Sequence, residues 1–168
     1  MSYIDNARAF LLTIADELDN LHGWSGVYRY MKIIRIYNEE HGTNYVIKNG
    51  AVRVVIIGED FVIKVDYDKT NAKEFGGCES EYKFWRNIKD TDHAFMFAPI
   101  TKVKAGHHYY YVMPRMDYLG YEMTDVLEDY LDEDDEYWLR DAVGDLHEAN
   151  YGVLNNELYI IDYACRAH

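Results

Sequence analysis

A chain of 168 residues, 49% of them apolar, is long enough to bury one real core and short for two, which excludes a disordered chain. A net charge of −13 opposes binding to nucleic-acid backbones and favours solubility and basic partners. No apolar run approaches the ~20 residues a membrane helix needs, and Met1-Ser2-Tyr3-Ile4-Asp5 lacks the charged and apolar segments of a secretion signal.

The two cysteines, Cys78 and Cys165, are too few for a disulfide framework and point to a reducing cytoplasm. There is no cluster of Cys and His at zinc spacing. The charge is uneven. Asp117 to Glu136 holds ten acidic residues and no basic ones. Such a run is either a solvated helix face or a docking surface for a basic protein.

In chain order, Ile4, Ala7, Leu11, Ile14, Leu18 and Leu21 recur at steps of three and four. They predict a helix over 3–21 that His22-Gly23 ends. Ser25 can cap a second helix running to about His41, with Val27, Tyr30, Met31, Ile34 and Tyr37 on one face and Gly42 as its stop. Strands are predicted over 45–48, 51–57 and 61–67, rich in Val and Ile and separated by Asn49-Gly50 and Gly58-Glu59-Asp60. Lys64 lies within the third, in Val62-Ile63-Lys64-Val65; side chains alternate along a strand, so it can face either solvent or the interior.

A helix is predicted over 71–88. Gly76-Gly77 is a poor helix start, which moves the beginning towards Cys78. Two further strands, 97–104 and 108–113, flank Ala105-Gly106-His107, and Pro114 stops the sheet. Helices follow at about 122–131 and 134–143. Val153-Leu154 and Leu158 to Ile161, with the turn formers Asn155-Asn156 between them, predict a closing β-hairpin.

Three polar groups gather around that hairpin. Asp145 lies in Gly144-Asp145-Leu146-His147-Glu148-Ala149-Asn150, Asn150 ends the stretch, and Asp162 follows the second strand. Two carboxylates and an amide oxygen suit a hard cation such as magnesium, together with a base for a hydroxyl. An ordinary Asp/Asn-rich turn before a hairpin would have the same residues.

This stretch resembles the catalytic core of the protein-kinase and aminoglycoside-kinase superfamily, with its Asp-x-x-x-x-Asn loop and a metal-binding Asp after the next strand pair. Asp-Leu-His-x-x-Asn is closer to the small-molecule and small bacteriophage kinases than to eukaryotic protein kinases. The family's His two residues before the Asp is Val143 here, and Tyr163-Ala164 replaces the usual Phe-Gly.

The resemblance covers roughly 44–163 and implies an α+β, kinase-like two-lobe fold. The implied organisation is a helical extension over 1–43, a small lobe with an antiparallel sheet over 44–113 and a reduced C-terminal lobe over 114–168. Only six residues follow Asp162, so the C-terminal lobe is expected to be truncated.

Asp145 would be the catalytic base, Asn150 and Asp162 the Mg2+ ligands, and His147 would face the transferred phosphate. Lys64 would hold the ATP phosphates. Its helix partner is Glu81 rather than Glu79, because Phe84, Trp85 and Ile88 follow Glu81 at the apolar spacing the family uses. Gly50 would cover the phosphates, although a hairpin turn explains Asn49-Gly50 equally. Met113 to Met116 would be the adenine hinge, with Val112 at the back of the pocket.

The implied activity is ATP- and magnesium-dependent transfer to a Ser or Thr of a protein, by a phage protein acting on a target in the host bacterial cytoplasm. The alternative is a kinase-fold protein without strong catalysis that inhibits a host enzyme through its acidic surface. Nothing in the residues sets the oligomeric state.

Overall fold

The computed structural model describes residues 1–20, 26–50, 52–67, 72, 76–118, 130–143 and 150–163. The protein is α+β, and its chain divides into two compact units. The first is formed by Met1–Cys78 with Ile100–Arg115, and the second by Glu79–Pro99 with Met116–His168. The chain therefore passes between them at Cys78, at Pro99 and at Arg115.

In the first unit, α1 (Tyr3–Asn20) and α2 (Gly26–His41) share one core with a five-stranded antiparallel sheet. Ser2 caps α1. Its hydroxyl takes the Asp5 N–H at 3.2 Å and donates to the Asp5 carboxylate at 2.7 Å, a reciprocal cap that the sequence reading overlooked. The Ser2 hydroxyl and the Ser2 N–H, both donating to the Asp5 carboxylate, hold that carboxyl below its usual range. The buried stripe of α1 is Ala7, Phe10, Leu11, Ile14, Ala15 and Leu18, close to the predicted spacing. On α2 the buried residues are Tyr30, Ile33 and Ile34. Met31, expected on that face, is 46% exposed, because at 100° per residue it lies well round the helix from Ile33. The helix ends at Gly42, whose φ of 64° is the left-handed conformation glycine adopts without strain.

The strands are β1 (Val46–Asn49), β2 (Arg53–Ile57), β3 (Phe61–Asp66), β4 (Thr101–Ala105) and β5 (His108–Pro114), ordered β1-β2-β3-β5-β4. β3 is central. Gly58 opens the turn between β2 and β3, where a Cβ would come within 2.4 Å of the Phe61 ring. Alternation sorts the side chains: Phe61, Ile63 and Val65 join Val54, Ile56, Val103, Tyr110 and Val112 in the core shared with the helices. Lys64 falls on the opposite face of the sheet. Predicted strand positions 97–100 are not part of β4; Ala94–Met96 form a 3-10 turn and the strand starts at Thr101.

The second unit holds the body of α3 (Cys78–Ile88), a three-stranded sheet of β6 (Asp117–Tyr118), β7 (Tyr151–Leu154) and β8 (Glu157–Ile160), and α4 (Glu133–Val143). Cys78, the first residue of α3, donates its N–H to both carboxylate oxygens of Asp66 at 3.1 and 3.0 Å, which supplies the start that Gly76-Gly77 could not. The β7–β8 turn places Asn155 and Asn156 at φ 54° and 64°, the paired left-handed conformation of a tight hairpin. β6 is too short to show in sequence. The core is aromatic: Phe97 meets Phe84, Tyr163 and Trp138 at centroid distances of 5.1, 5.0 and 6.1 Å. The expected helix over 122–131 falls almost wholly outside the described residues.

Candidate functional site

In the first unit, Lys64 sits in the middle of the central strand and is only 5% exposed, so it does not face solvent. Its cross-strand partners are Val55 on β2 and Tyr111 on β5. An ammonium removed from water in this way requires anionic or hydrogen-bonding compensation. Met113 is cross-strand from Val62 and therefore shares the face of Lys64, as does Tyr111. Val112, expected at the back of an adenine pocket, pairs with Ile63 and is fully buried in the core shared with α1 and α2, on the face opposite Lys64. The strand parity that decides this depends on the β3–β5 register, which no local motif announces.

Gly50 lies exposed at the end of β1. Its N–H donates to the Arg53 carbonyl at 2.9 Å and its own carbonyl accepts the Tyr67 hydroxyl at 2.8 Å. A Cβ there would meet nothing within 4 Å, so the hairpin itself does not demand glycine.

In the second unit, Glu81 is fully buried on α3, whereas Glu79 is half-buried. The Glu81 carboxylate accepts the backbone N–H of Tyr163 at 3.1 Å. Tyr163 is itself fully buried, and its hydroxyl donates to the Ala98 carbonyl at 2.8 Å. The residue after Asp162 is thereby fixed at both ends of its structure, backbone and phenol.

The β7–β8 hairpin sets Asn150 opposite Ile161, the residue before Asp162. Tyr151 pairs with Ile160, and the Ile161 N–H donates to the Asn150 carbonyl at 2.7 Å. Asn150 is buried and Asp162 half-buried. Among the described residues no group of three or more His, Cys, Asp and Glu could hold a metal. An amide oxygen and one carboxylate are instead the kind of sparse oxygen set that magnesium completes with phosphate and water. Asp145 and His147 lie outside the described residues. Met116, expected in the hinge, is placed just before β6, with its Cβ 2.8 Å from where a Cβ on Gly152 would be.

Two residues outside the expected set, Tyr163 and Asp66, make the contacts to Glu81 and to the Cys78 N–H. Tyr163 was noted only as a replacement for Phe, yet its backbone N–H is what meets Glu81. Asp66 was not singled out; two glycines before a helix are the signal that its cap must come from elsewhere. No protein-family model matches the chain, and no curated protein matches it either.

Proposed function

We propose that the protein is an ATP- and magnesium-dependent kinase of the protein-kinase-like type, transferring a phosphoryl group to a Ser or Thr hydroxyl of another protein. The observation that carries this reading is the bond from the Tyr163 N–H to the buried Glu81 carboxylate. It ties the helix glutamate to the residue after Asp162, and the hairpin bonds Asn150 to Ile161, the residue before it. The five-stranded antiparallel sheet with a buried lysine on its central strand supports the small lobe that the resemblance implies.

Phosphoryl transfer asks a protein mainly for positioning and charge stabilisation. Lys64 would grip the α and β phosphates. Tyr111 and Met113 offer an apolar wall on the same sheet face. Asn150 and Asp162 would hold magnesium by oxygen atoms, and Asp145 would orient the acceptor hydroxyl and take its proton. Magnesium supplies the charge that offsets the phosphates. By the resemblance, His147 would be the residue assigned to the transferred phosphate.

The test is a thermal shift of the full chain with ATP and magnesium, followed by incubation with labelled ATP and protein acceptors. A ligand at ~100 times its Kd stabilises by about 2.7 kcal/mol, a displacement of several degrees for a chain of this size. Asp162→Asn should remove the magnesium-dependent part of the shift and the labelling while leaving the unfolding transition cooperative. Full phosphoryl transfer by that variant would show that the metal assignment is wrong.

A further inference from the structure

The second unit carries an apolar recess that the nucleotide reading does not use. Phe95, Tyr130, Leu131, Leu158 and Ile160 line it, around a volume of about 210 Å³, and Glu157 is the charged residue on its wall. Small-molecule sites run to ~300–1,000 Å³, so the recess is undersized for a nucleotide or similar cofactor. A dry cavity of ~150 Å³ already admits a benzene ring, so the space suits one leucine- or phenylalanine-sized side chain. Phe95 and Tyr130 stand 54% and 47% exposed at its mouth, a position a solvated aromatic pair holds at a cost unless something covers it.

The surroundings choose the occupant. Leu131 runs directly into Asp132, Glu133 and Asp134, all exposed, and Asp90 and Asp92 are exposed on the segment leading to Phe95. Asp135 and Glu136 are engaged within the unit, with His93 at 3.6 Å and Arg140 at 2.6 Å. Asp132 caps the following helix and Asp90 lies 3.8 Å from Lys89, which leaves Asp92, Glu133 and Asp134 as exposed carboxylates on the segments that lead into and out of the recess lining. A second copy of the chain would bring another −13 of charge to this surface, and mutual repulsion disfavours it.

We propose that the recess is a docking site for a basic segment of a partner protein, with one large apolar side chain seated between Phe95, Tyr130 and Leu158 and flanking Lys or Arg residues against the acidic rim. The proposal rests on the expectation of a protein partner and is independent of the nucleotide chemistry. Burying an apolar anchor supplies affinity, and the rim charge speeds encounter.

The test selects a displayed random peptide library on the full chain, then measures the enriched peptides by fluorescence anisotropy at low and high salt. Enriched sequences should join a Leu, Ile, Met or Phe to neighbouring Lys or Arg. Phe95→Glu, at an exposed position, should weaken their binding about tenfold or more, and Tyr130→Ser should do the same if Phe95→Glu disturbs folding. Glu133→Gln with Asp134→Asn should slow association and flatten its salt dependence. The ATP-dependent thermal shift of Phe95→Glu should equal that of the unsubstituted chain. If that shift is missing from the unsubstituted chain, the nucleotide reading fails and this one stands. No enrichment, enrichment without basic residues, or indifference to both aromatic variants would overturn the docking site. So would a dimer that Phe95→Glu dissociates, since the occupant would then be a second copy.

Discussion

Glu81 illustrates how much one residue's environment can settle. A carboxylate with no exposure must be stabilised by donors, and the Tyr163 N–H at 3.1 Å is one of them. Removing it leaves a buried N–H without its acceptor, a loss of ~1–3 kcal/mol. Glu81→Ala is therefore expected to lower unfolding stability by about that amount, and Glu79→Ala by less. Glu81→Gln keeps an acceptor oxygen, so it should fold better than Glu81→Ala while binding ATP with magnesium more weakly than the unsubstituted chain. Denaturant titration and thermal shift read the two effects separately. A larger loss of ATP binding at Glu79 would overturn the helical-phase argument.

At the scale of an element, α4 shows what part of the acidic run is for. Asp132 accepts the Asp135 N–H at 2.8 Å, a side-chain cap on the first turn. Glu133, Asp134, Asp135 and Glu136 then fill that turn, where the helix dipole favours negative charge, and Arg140 pairs back to Glu136. The described end of the run thus has an internal, structural use at Asp132, Asp135 and Glu136, beside any role for its outward carboxylates. Asp132→Ala should destabilise by ~1 kcal/mol, and Asp132→Asn by far less, because Asn caps as well as Asp. Equal losses from both would mean that charge rather than the cap bond matters at this position; urea midpoints distinguish the cases.

For the molecule as a whole, buried tyrosines set the alkaline limit. Tyr30 and Tyr110 are 6% and 0% exposed, with their hydroxyls 3.4 Å apart. Burial pushes both phenols above the ordinary 10.0, and Tyr151 is raised to about 12 by the same cause. Folding therefore favours the protonated phenol. That stability is fully present below pH ~10 and is lost as pH rises from there towards the folded-state values. The protein should lose helix and sheet signals cooperatively on the alkaline side of ~10, with the phenolate absorbance of the buried tyrosines rising at the same midpoint. Buried tyrosines that ionise while circular dichroism is unchanged would contradict this packing.

Periodicity alone determined the elements in which one residue face is buried. The stripe of α1, the strands on either side of Gly58, the start of α3 near Cys78 and the Asn155-Asn156 hairpin were all legible, because burial repeats at 3.6 or 2 residues and turn residues mark the breaks. Helical phase selects Glu81 over Glu79 as the expected partner of Lys64, and of the two it is Glu81 that is fully buried. Met31 was misplaced because a helix face is wide and its centre depends on what packs against it. Which residues of β5 share the face of Lys64, Tyr111 and Met113 rather than Val112, was decided only by the register between β3 and β5, strands separated by more than forty residues of chain. The meeting of Glu81 with the Tyr163 N–H spans 82 residues and leaves no local trace. Short-range patterns record which side of an element is buried; pairings distant in sequence are selected by packing of the whole core, and only the tertiary structure carries them.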